Sequence, residues 1–290
     1  DLLKDGERAD AGSERPGVKG GGNPPQRNAG SATGLMPDGA AKNWPGFRGP
    51  GGLATGGDGK APTTAADIGR VRWKVDLSHS GRSSPVVWGD HVFLTGADKT
   101  QGVVYCFETG TGKPLWRREC LLTGPASSSK ETGYAAPTPA TDGNRVYAIF
   151  ASGDVVAFDM NGTPAWQVKL GEHKSAYGYA SSLVLYQNLL LVQYDQQKDG
   201  ADGGSALLAL DARTGKTAWR IKRNMGPSWS TPLVIGTRRG PQVIVCANNG
   251  ITAYAPEDGR EIWTVHCETH DIVPAPTVAG GLIIAAMTAS

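Results

Sequence analysis

The densest group of potential metal ligands in the sequence is the run His-Cys-Glu-Thr-His-Asp at residues 266–271. A histidine and a cysteine a few residues apart can bind a metal ion. The run continues a predicted strand, however, and a strand directs alternate side chains to opposite faces. We therefore expect no shared metal site here.

Other residue types that support catalysis are present without the spacing that catalysis requires. Asp195, Asp199 and Asp202 form an acidic segment, which we interpret as a solvated hairpin loop rather than a calcium loop. No nucleophile elbow, phosphate-binding glycine loop or pair of catalytic carboxylates is recognisable. The sequence thus predicts no catalytic residue, no cofactor-binding residue and no metal ligand, and three histidines are expected to be solvated: His79, His91 and His173.

The four cysteines lack the close paired spacing of a zinc site, and no two of them are adjacent. Cys106 stands in a repeat column otherwise held by alanine, which favours a small buried residue. Cys120 and Cys267 both lie four positions after a recurring tryptophan. These shared positions indicate packing rather than chemistry. We expect no disulfide framework among the four cysteines, which are Cys106, Cys120, Cys246 and Cys267.

Six aromatic and charged residues have the composition of a recognition surface. Each lies in a segment that leads into the first strand of a repeated unit, so the six would gather at one axial mouth of a ring of such units. Loops on a rigid scaffold commonly carry function. We predict a binding surface there, with the alternative that several of these side chains only fill the axial channel: Arg82, Tyr134, Tyr177, Tyr179, Trp229 and Asp271.

The units that position these residues are marked by a recurring tryptophan. Successive copies are 43, 50, 53 and 44 residues apart, and the last four copies have glycine four residues before the tryptophan. A period of about 40–50 residues built from short strands is typical of propeller blades. A flat side chain repeated once per unit suits the interface between neighbouring sheets. We assign this structural role to Trp73, Trp116, Trp166, Trp219 and Trp263.

Short alternating strands separated by turns predict an all-β protein, a β-propeller of four-stranded antiparallel blades with about four complete blades. Residues 71–75 alternate like the last strand of an earlier blade, and a fifth blade begins at residue 275. We expect three regions along the chain. They are a disordered glycine- and proline-rich linker at 1–42, an irregular segment at 43–69 that packs on the propeller, and a partial propeller at 70–290.

Composition and charge exclude some classes of function. The net charge is +2 and charged residues make up 19% of the chain, so no strong field favours nucleic acid as a partner. No run of about 18 apolar residues is present, so we expect no membrane span in this segment. The first residue is Asp1 rather than methionine, from which we expect that the chain begins inside a longer product and that its export signal lies outside this segment.

Residues 209–219, ALDARTGKTAW, resemble the PQQ-like (pyrroloquinoline-quinone-type) β-propeller repeat. Residues 44–50, WPGFRGP, and 82–90, RSSPVVWGD, more narrowly resemble an exported bacterial branch of that family. The resemblance covers about residues 43–290, and Ala255 departs from it where the repeat has an acidic residue. The resemblance implies a ring of about eight blades, of which this chain would be about half, truncated at both ends, and a periplasmic or otherwise exported location.

The resemblance implies two classes of function. Quinoprotein dehydrogenases of this family hold PQQ and calcium on the axis, with a catalytic aspartate and often a ring of two adjacent cysteines, which this sequence lacks. The family also includes an outer-membrane assembly lipoprotein that works by binding protein partners. We therefore expect a non-catalytic scaffold or a ligand- or protein-binding module of the bacterial cell envelope, with a protein or small ligand at the axial mouth and no cofactor. A PQQ-dependent dehydrogenase is the alternative.

Overall fold

The structure of the protein is a computed structural model, and it describes residues 35–55, 64, 71–124, 126–197, 204–267 and 272–286. Strands account for nearly all the regular secondary structure in these ranges. Two short 3-10 helices precede the strands, at Ala40–Lys42 and Pro50–Gly52. Among the described residues, no helix is long and apolar enough to cross a membrane.

Four sheets each contain four antiparallel strands that follow one another in chain order, and we call each sheet a blade. Blade 1 contains β1 (Val86–Trp88), β2 (His91–Ala97), β3 (Gln101–Glu108) and β4 (Pro114–Leu121). Blade 2 contains β5 (Ala140–Thr141), β6 (Arg145–Ile149), β7 (Asp154–Asp159) and β8 (Pro164–Lys169). Blade 3 contains β9 (Val184–Tyr186), β10 (Leu189–Tyr194), β11 (Ala206–Asp211) and β12 (Thr217–Lys222). Blade 4 contains β13 (Leu233–Thr237), β14 (Gly240–Ala247), β15 (Gly250–Tyr254) and β16 (Glu261–His266), and blade 5 contains β17 (Thr277–Ala279) and β18 (Leu282–Ile284).

This arrangement is the architecture of a β-propeller, and the prediction of an all-β fold made of four-stranded antiparallel blades is confirmed. The two central strands of blade 3 show why the sequence folds this way. β10 reads LLLVQY and β11 reads ALLALD, and both are buried almost throughout. Because each central strand is covered on both faces by neighbouring blades, its sequence is a nearly continuous apolar run. The outer strand β12 alternates instead, with Trp219 and Ile221 half-buried between exposed residues.

Four of the recurring tryptophans dock on the next blade along the chain. Each indole N–H donates a hydrogen bond to a backbone carbonyl in the turn before the last strand of that blade. The nitrogen and oxygen atoms are 2.9–3.0 Å apart in the four pairs: Trp73 with Thr109, Trp116 with Met160, Trp166 with Ala212 and Trp219 with Pro256. Trp263 differs, because its indole donates to Gln242 Oε1 of its own blade at 3.0 Å.

Each of these four tryptophans packs its ring against a glycine of the next blade. That glycine lies four residues before the next blade's own tryptophan. These glycines have φ angles between 73° and 82°, and a Cβ added to any of them would come within 2.5–2.8 Å of the ring: Gly112, Gly162, Gly215 and Gly259. Glycine is therefore required both by the left-handed backbone and by the close ring. Across the strands, each blade tryptophan pairs with the small residue of one column, and the register shifts directly after that residue: Cys106, Ala157, Ala209 and Ala253.

The first strands of neighbouring blades are joined through hydroxyl groups. The backbone N–H of Ser84 donates to Thr138 Oγ1 at 3.1 Å, and the N–H of Thr138 donates to Ser182 Oγ at 3.0 Å. The N–H of Ser182 in turn donates to Thr231 Oγ1 at 3.0 Å. Small hydroxyl residues at the start of the first strands thus connect four blades in series around the axis.

Residues 35–53 lie along the first strands of several blades. Trp44 and Val87 of β1 exchange two backbone hydrogen bonds of 2.9 and 2.8 Å. The N–H of Thr141 donates to the carbonyl of Pro45 at 2.8 Å. The described part of the segment predicted to pack on the propeller therefore contacts blades 1 and 2.

An apolar cavity of about 170 Å³ lies between this segment and the first strands, lined by residues that include Phe47, Leu183 and Leu233. Leu35 packs against apolar side chains of blades 3 and 4, although it belongs to the segment 1–42 that the sequence analysis interprets as a linker. Residues 1–34 of that segment lie outside the described residues. The division into linker, irregular segment and propeller stays a prediction.

Candidate functional site

We call the side of the propeller on which each first strand begins the upper face. Three loops that connect one blade to the next lie on it, at residues 122–139, 170–183 and 223–232. The recognition surface predicted from the sequence falls on these loops and on the residues that precede β1.

Tyr177 and Trp229 form an aromatic pair on the upper face. Their ring centroids are 5.5 Å apart, and the interplanar angle of 70° makes the contact edge to face. Trp229 is 8% exposed, and its indole donates to the carbonyl of Gly178 at 2.8 Å. Tyr177 is 50% exposed. A buried indole thus supports a tyrosine ring that is open to solvent.

Arg82 and Tyr134 lie on loops that are bonded to this pair. Arg82 donates from Nη2 to the carbonyl of Lys130 at 3.1 Å. In the same loop, Thr132 Oγ1 donates to the carbonyl of Tyr177. Tyr134 is half-buried and packs against the core shared by blades 1 and 2. The structure therefore places Arg82, Tyr134, Tyr177 and Trp229 on loops that contact one another, and their role as a binding surface stays a prediction.

Tyr179 differs from the other predicted members of this surface. It is 1% exposed, its hydroxyl donates to the carbonyl of Gln193 at 3.1 Å, and its ring packs against His173 and Tyr194. Tyr179 is buried in the core cluster that blades 2 and 3 share, so its side chain adds no exposed surface to the upper face. Asp271, the sixth predicted member, lies outside the described residues.

A buried ion pair that sequence reasoning missed lies beneath the upper face. Arg223 donates from Nε and Nη2 to the two carboxylate oxygens of Asp195 at 2.9 and 3.2 Å. Arg223 also donates to the hydroxyl of Tyr254 at 2.9 Å, and Gln193 donates to Asp195 at 2.7 Å. Since Tyr254 belongs to blade 4 and Asp195 to blade 3, Arg223 connects the two blades.

The interpretation of Asp195 as part of a solvated loop is wrong, because this residue is 0% exposed. Burial raises the pKa of the Asp195 carboxyl, and the hydrogen bonds from Arg223 oppose that rise. The sequence misled because Asp195 is followed by a polar, glycine-rich segment. Asp199 and Asp202 of that segment lie outside the described residues.

His173 is likewise buried, at 1% exposure, so the expectation that it is solvated is wrong. Its Nε2 lies 2.8 Å from the carbonyl oxygen of Asp195, and its ring meets Tyr179 and Tyr194 edge to face. Burial lowers the pKa of His173 to about 4. The imidazole is therefore neutral at pH 7 and packs between the rings of Tyr179 and Tyr194.

PQQ with calcium is the cofactor set that the dehydrogenase alternative requires. Calcium takes about six to eight oxygen ligands, whereas the described ranges contain no group of three or more His, Cys, Asp and Glu side chains that could hold a metal ion. The buried carboxylate of Asp195 is already held by Arg223. Burial raises the pKa of Cys106, Cys120 and Cys246 to about 12, which leaves these thiols unreactive.

Fold and site together define a β-propeller whose blades are joined by tryptophan–glycine contacts and whose loops build an aromatic upper face. Comparison with known proteins agrees with this class. A family model described as "Outer membrane protein assembly factor BamB" matches residues 45–198 and 203–289. The chain belongs to this family of PQQ-like repeat proteins.

Individual relatives come from both functional classes. The chain is 26% identical over 241 residues to a polyvinylalcohol dehydrogenase of Pseudomonas sp.. The aligned region covers 71% of this chain and 36% of that protein. The chain is 21% identical over 234 residues to the outer membrane protein assembly factor BamB of Burkholderia pseudomallei (strain K96243). This aligned region covers 78% of this chain and 56% of that protein. The chain thus spans less than two thirds of the length of either relative.

Among solved structures, the quinohemoprotein alcohol dehydrogenase from Comamonas testosteroni superimposes with a TM-score of 0.60 at 14% identity. The match covers 86% of this chain and 46% of that one. At this identity the likeness concerns the fold alone.

Proposed function

We propose that the protein is a non-catalytic scaffold of the bacterial cell envelope that binds a protein partner on its upper face. The observation that carries this proposal is the half-exposed ring of Tyr177, supported by the buried indole of Trp229. Tyrosine, tryptophan and arginine dominate the binding energy of protein interfaces. Arg82, exposed on the neighbouring loop, adds the third of these residue types.

The loops that carry these residues are cross-bonded, which supports a preformed surface. An isolated β-bridge joins Ser128 to Gly178, and the N–H of Trp229 donates to the carbonyl of Ile272 at 3.0 Å. A surface that is ordered before binding loses less conformational entropy when the partner arrives. The upper face is therefore suited to docking a folded or extended protein segment.

The location and the partner class are supported by the family. The relative from Burkholderia pseudomallei is named as an outer membrane protein assembly factor, which describes a protein of the cell envelope. We place this chain in the periplasm or in another exported compartment by the same reasoning. The partner would be a protein that is present there.

The test compares Tyr177→Ala with Leu121→Ala, which removes an exposed apolar side chain (71% exposed) from the outer strand β4. The tagged protein is used to capture partners from a bacterial envelope extract after cross-linking. We expect the wild type and Leu121→Ala to retain the same partner and Tyr177→Ala to lose it by about tenfold or more, with unchanged melting temperatures. A partner that Tyr177→Ala still binds normally, or the lack of any partner, would refute the proposal.

A PQQ-dependent dehydrogenase is the second candidate, because relatives that include a polyvinylalcohol dehydrogenase share the repeat. Its test is reconstitution of the purified chain with PQQ and calcium, followed by dye-linked oxidation of alcohols. Turnover above that of the protein without PQQ would replace the scaffold proposal by this one.

A further inference from the structure

The apolar cavity of about 170 Å³ beneath residues 35–53 has no part in the surface proposed above. Residues of β5, β9, β13 and β17 form one wall of this cavity, and residues of the segment 35–53 form the other. An apolar cavity of about 150 Å³ is large enough to take a six-carbon ring. This cavity can therefore hold a hydrocarbon group of about six to eight carbons.

The lining of the cavity favours an apolar group. Among the described residues that line it, only Thr141 and Thr231 carry a polar side chain, and none carries a charge. Both hydroxyls are already hydrogen-bonded within the propeller. Thr141 Oγ1 donates to the carbonyl of Arg145 at 2.8 Å, and Thr231 Oγ1 accepts the N–H of Ser182 at 3.0 Å. A polar group that entered the cavity would lose hydrogen bonds to water and gain little in return.

An arginine stands at the edge of this cavity. Arg48 lies between the lining residues Phe47 and Gly49, and its Nη1 donates to the carbonyl of Ala275, another lining residue, at 3.4 Å. Within the part of the chain that the structure describes, Arg48 makes no ion pair. A guanidinium has five N–H donors, so most of them remain for an anionic group of a ligand.

The backbone of Arg48 is strained in this position. Its φ angle is +61°, in the left-handed range that residues with a long side chain rarely adopt. The N–H of Ala54 donates to the carbonyl of Arg48 at 2.7 Å and so closes the segment around it. Strained residues that the surrounding structure maintains are found preferentially at ligand sites. The motif at residues 44–50, WPGFRGP, thus places Phe47 on the cavity and Arg48 beside it.

A hydrocarbon chain that ends in an anionic group matches both features. The chain fits the apolar cavity, and a carboxylate accepts two parallel hydrogen bonds from one guanidinium. We propose that the cavity binds medium-chain carboxylic acids, with the carboxylate held by Arg48. This site goes beyond the protein-binding surface and depends on other residues, so either proposal can fail without the other.

The test is isothermal titration calorimetry of the purified chain at neutral pH with octanoate, hexanoate and octylammonium. We expect octanoate to bind with a dissociation constant of about 0.1–1 mM. Hexanoate should bind about 10–20-fold more weakly, since each buried CH₂ group strengthens binding about fourfold. Octylammonium carries a similar chain and the opposite charge, and it should bind at least about tenfold more weakly than octanoate.

Two variants separate the anionic group from the chain. Arg48→Met should weaken octanoate binding by about tenfold and remove the preference over octylammonium. Phe47→Ala should weaken the binding of both ligands by about three- to tenfold, because apolar lining is lost. Arg213→Met is the matched control, since Arg213 is exposed in the turn between β11 and β12 and does not line the cavity. It should bind octanoate like the wild type.

The proposal is overturned if neither calorimetry nor saturation-transfer NMR detects octanoate binding at up to about 10 mM. It is also overturned if octylammonium binds as tightly as octanoate, or if a folded Arg48→Met binds octanoate like the wild type. The comparison of octanoate with octylammonium needs only the wild type, so it decides the proposal even where Arg48→Met does not fold.

Discussion

Gly110 and Gly112 lie two residues apart in the turn that joins β3 to β4, yet their surroundings differ. Gly112 has a φ of +73°, and a Cβ added to it would lie 2.5 Å from the ring of Trp73. Gly110 has a φ outside the left-handed range and no heavy atom within 4 Å of the corresponding position. The same turn thus contains one glycine that the interface between blades requires and one that it does not.

We expect Gly112→Ala to lower the free energy of unfolding by about 1–3 kcal/mol, because the left-handed backbone is strained by a Cβ and the indole must move. Gly110→Ala, in open space, should change it by less than about 0.5 kcal/mol. Urea denaturation followed by tryptophan fluorescence measures both. Equal effects at the two positions would show that the contact with Trp73 contributes nothing.

Other tryptophans make the same contact without belonging to the repeat column. The ring of Trp88 lies on Gly143 of the next blade, and Trp44 lies on Gly49 of its own segment. The regular spacing along the chain predicted the five blade tryptophans. Trp44 and Trp88 lie outside that spacing, so their contacts with glycine could not be predicted in the same way. The glycine partner also could not be predicted, because the sequence shows only its spacing to the tryptophan of its own blade.

At the scale of elements, the first strands and the loops before them carry both the connections between blades and the candidate site. Thr138 and its equivalents each accept a hydrogen bond from a backbone N–H of the preceding blade, at 3.0–3.1 Å, and no pattern within one strand predicts this contact. A hydroxyl at that position is therefore needed as an acceptor as well as for its small size.

The loop before β13 offers a test of how two blades are coupled. Asp195→Asn or Arg223→Met should each lower the free energy of unfolding by about 3–5 kcal/mol, because each leaves a buried charge without its partner. The double variant should lose clearly less than the two single losses combined, since neither charge then remains. Chemical denaturation of the four proteins measures this coupling.

The exposed pair Asp258 and Arg260 is the control for that cycle. Its charged atoms are 4.0 Å apart and both side chains are more than 60% exposed. Asp258→Asn should leave the denaturation midpoint unchanged. Strictly additive losses at Asp195 and Arg223 would contradict a direct coupling between blades 3 and 4.

At the scale of the whole molecule, stability should vary with how well each blade is covered. Blades 2 and 3 have neighbours on both faces, and Tyr147, Leu190 and Leu208 are 0% exposed. In blade 5, Leu282 is 67% and Ile284 48% exposed. Arrays of stacked units gain much of their stability from contacts between nearest neighbours.

Hydrogen exchange followed by mass spectrometry should reveal this gradient in the 290-residue chain. We expect peptides from β6, β7, β10 and β11 to exchange at least about a hundredfold more slowly than those from β17 and β18, because local opening needs less energy where fewer apolar contacts break. Uniform protection across all blades would show instead that the chain opens only as one cooperative unit.

The sequence by itself determined the class of fold and the repeat, because alternation along strands and recurrence of a tryptophan are properties of local sequence. It also predicted which loops share one side of the propeller, since loops that precede equivalent strands must lie on the same side, but the binding role of their residues stays a prediction. Only the tertiary structure decided that Tyr179, His173 and Asp195 are buried. Burial depends on which side chains of other strands and blades pack around a residue. The sequence of one segment does not contain that information.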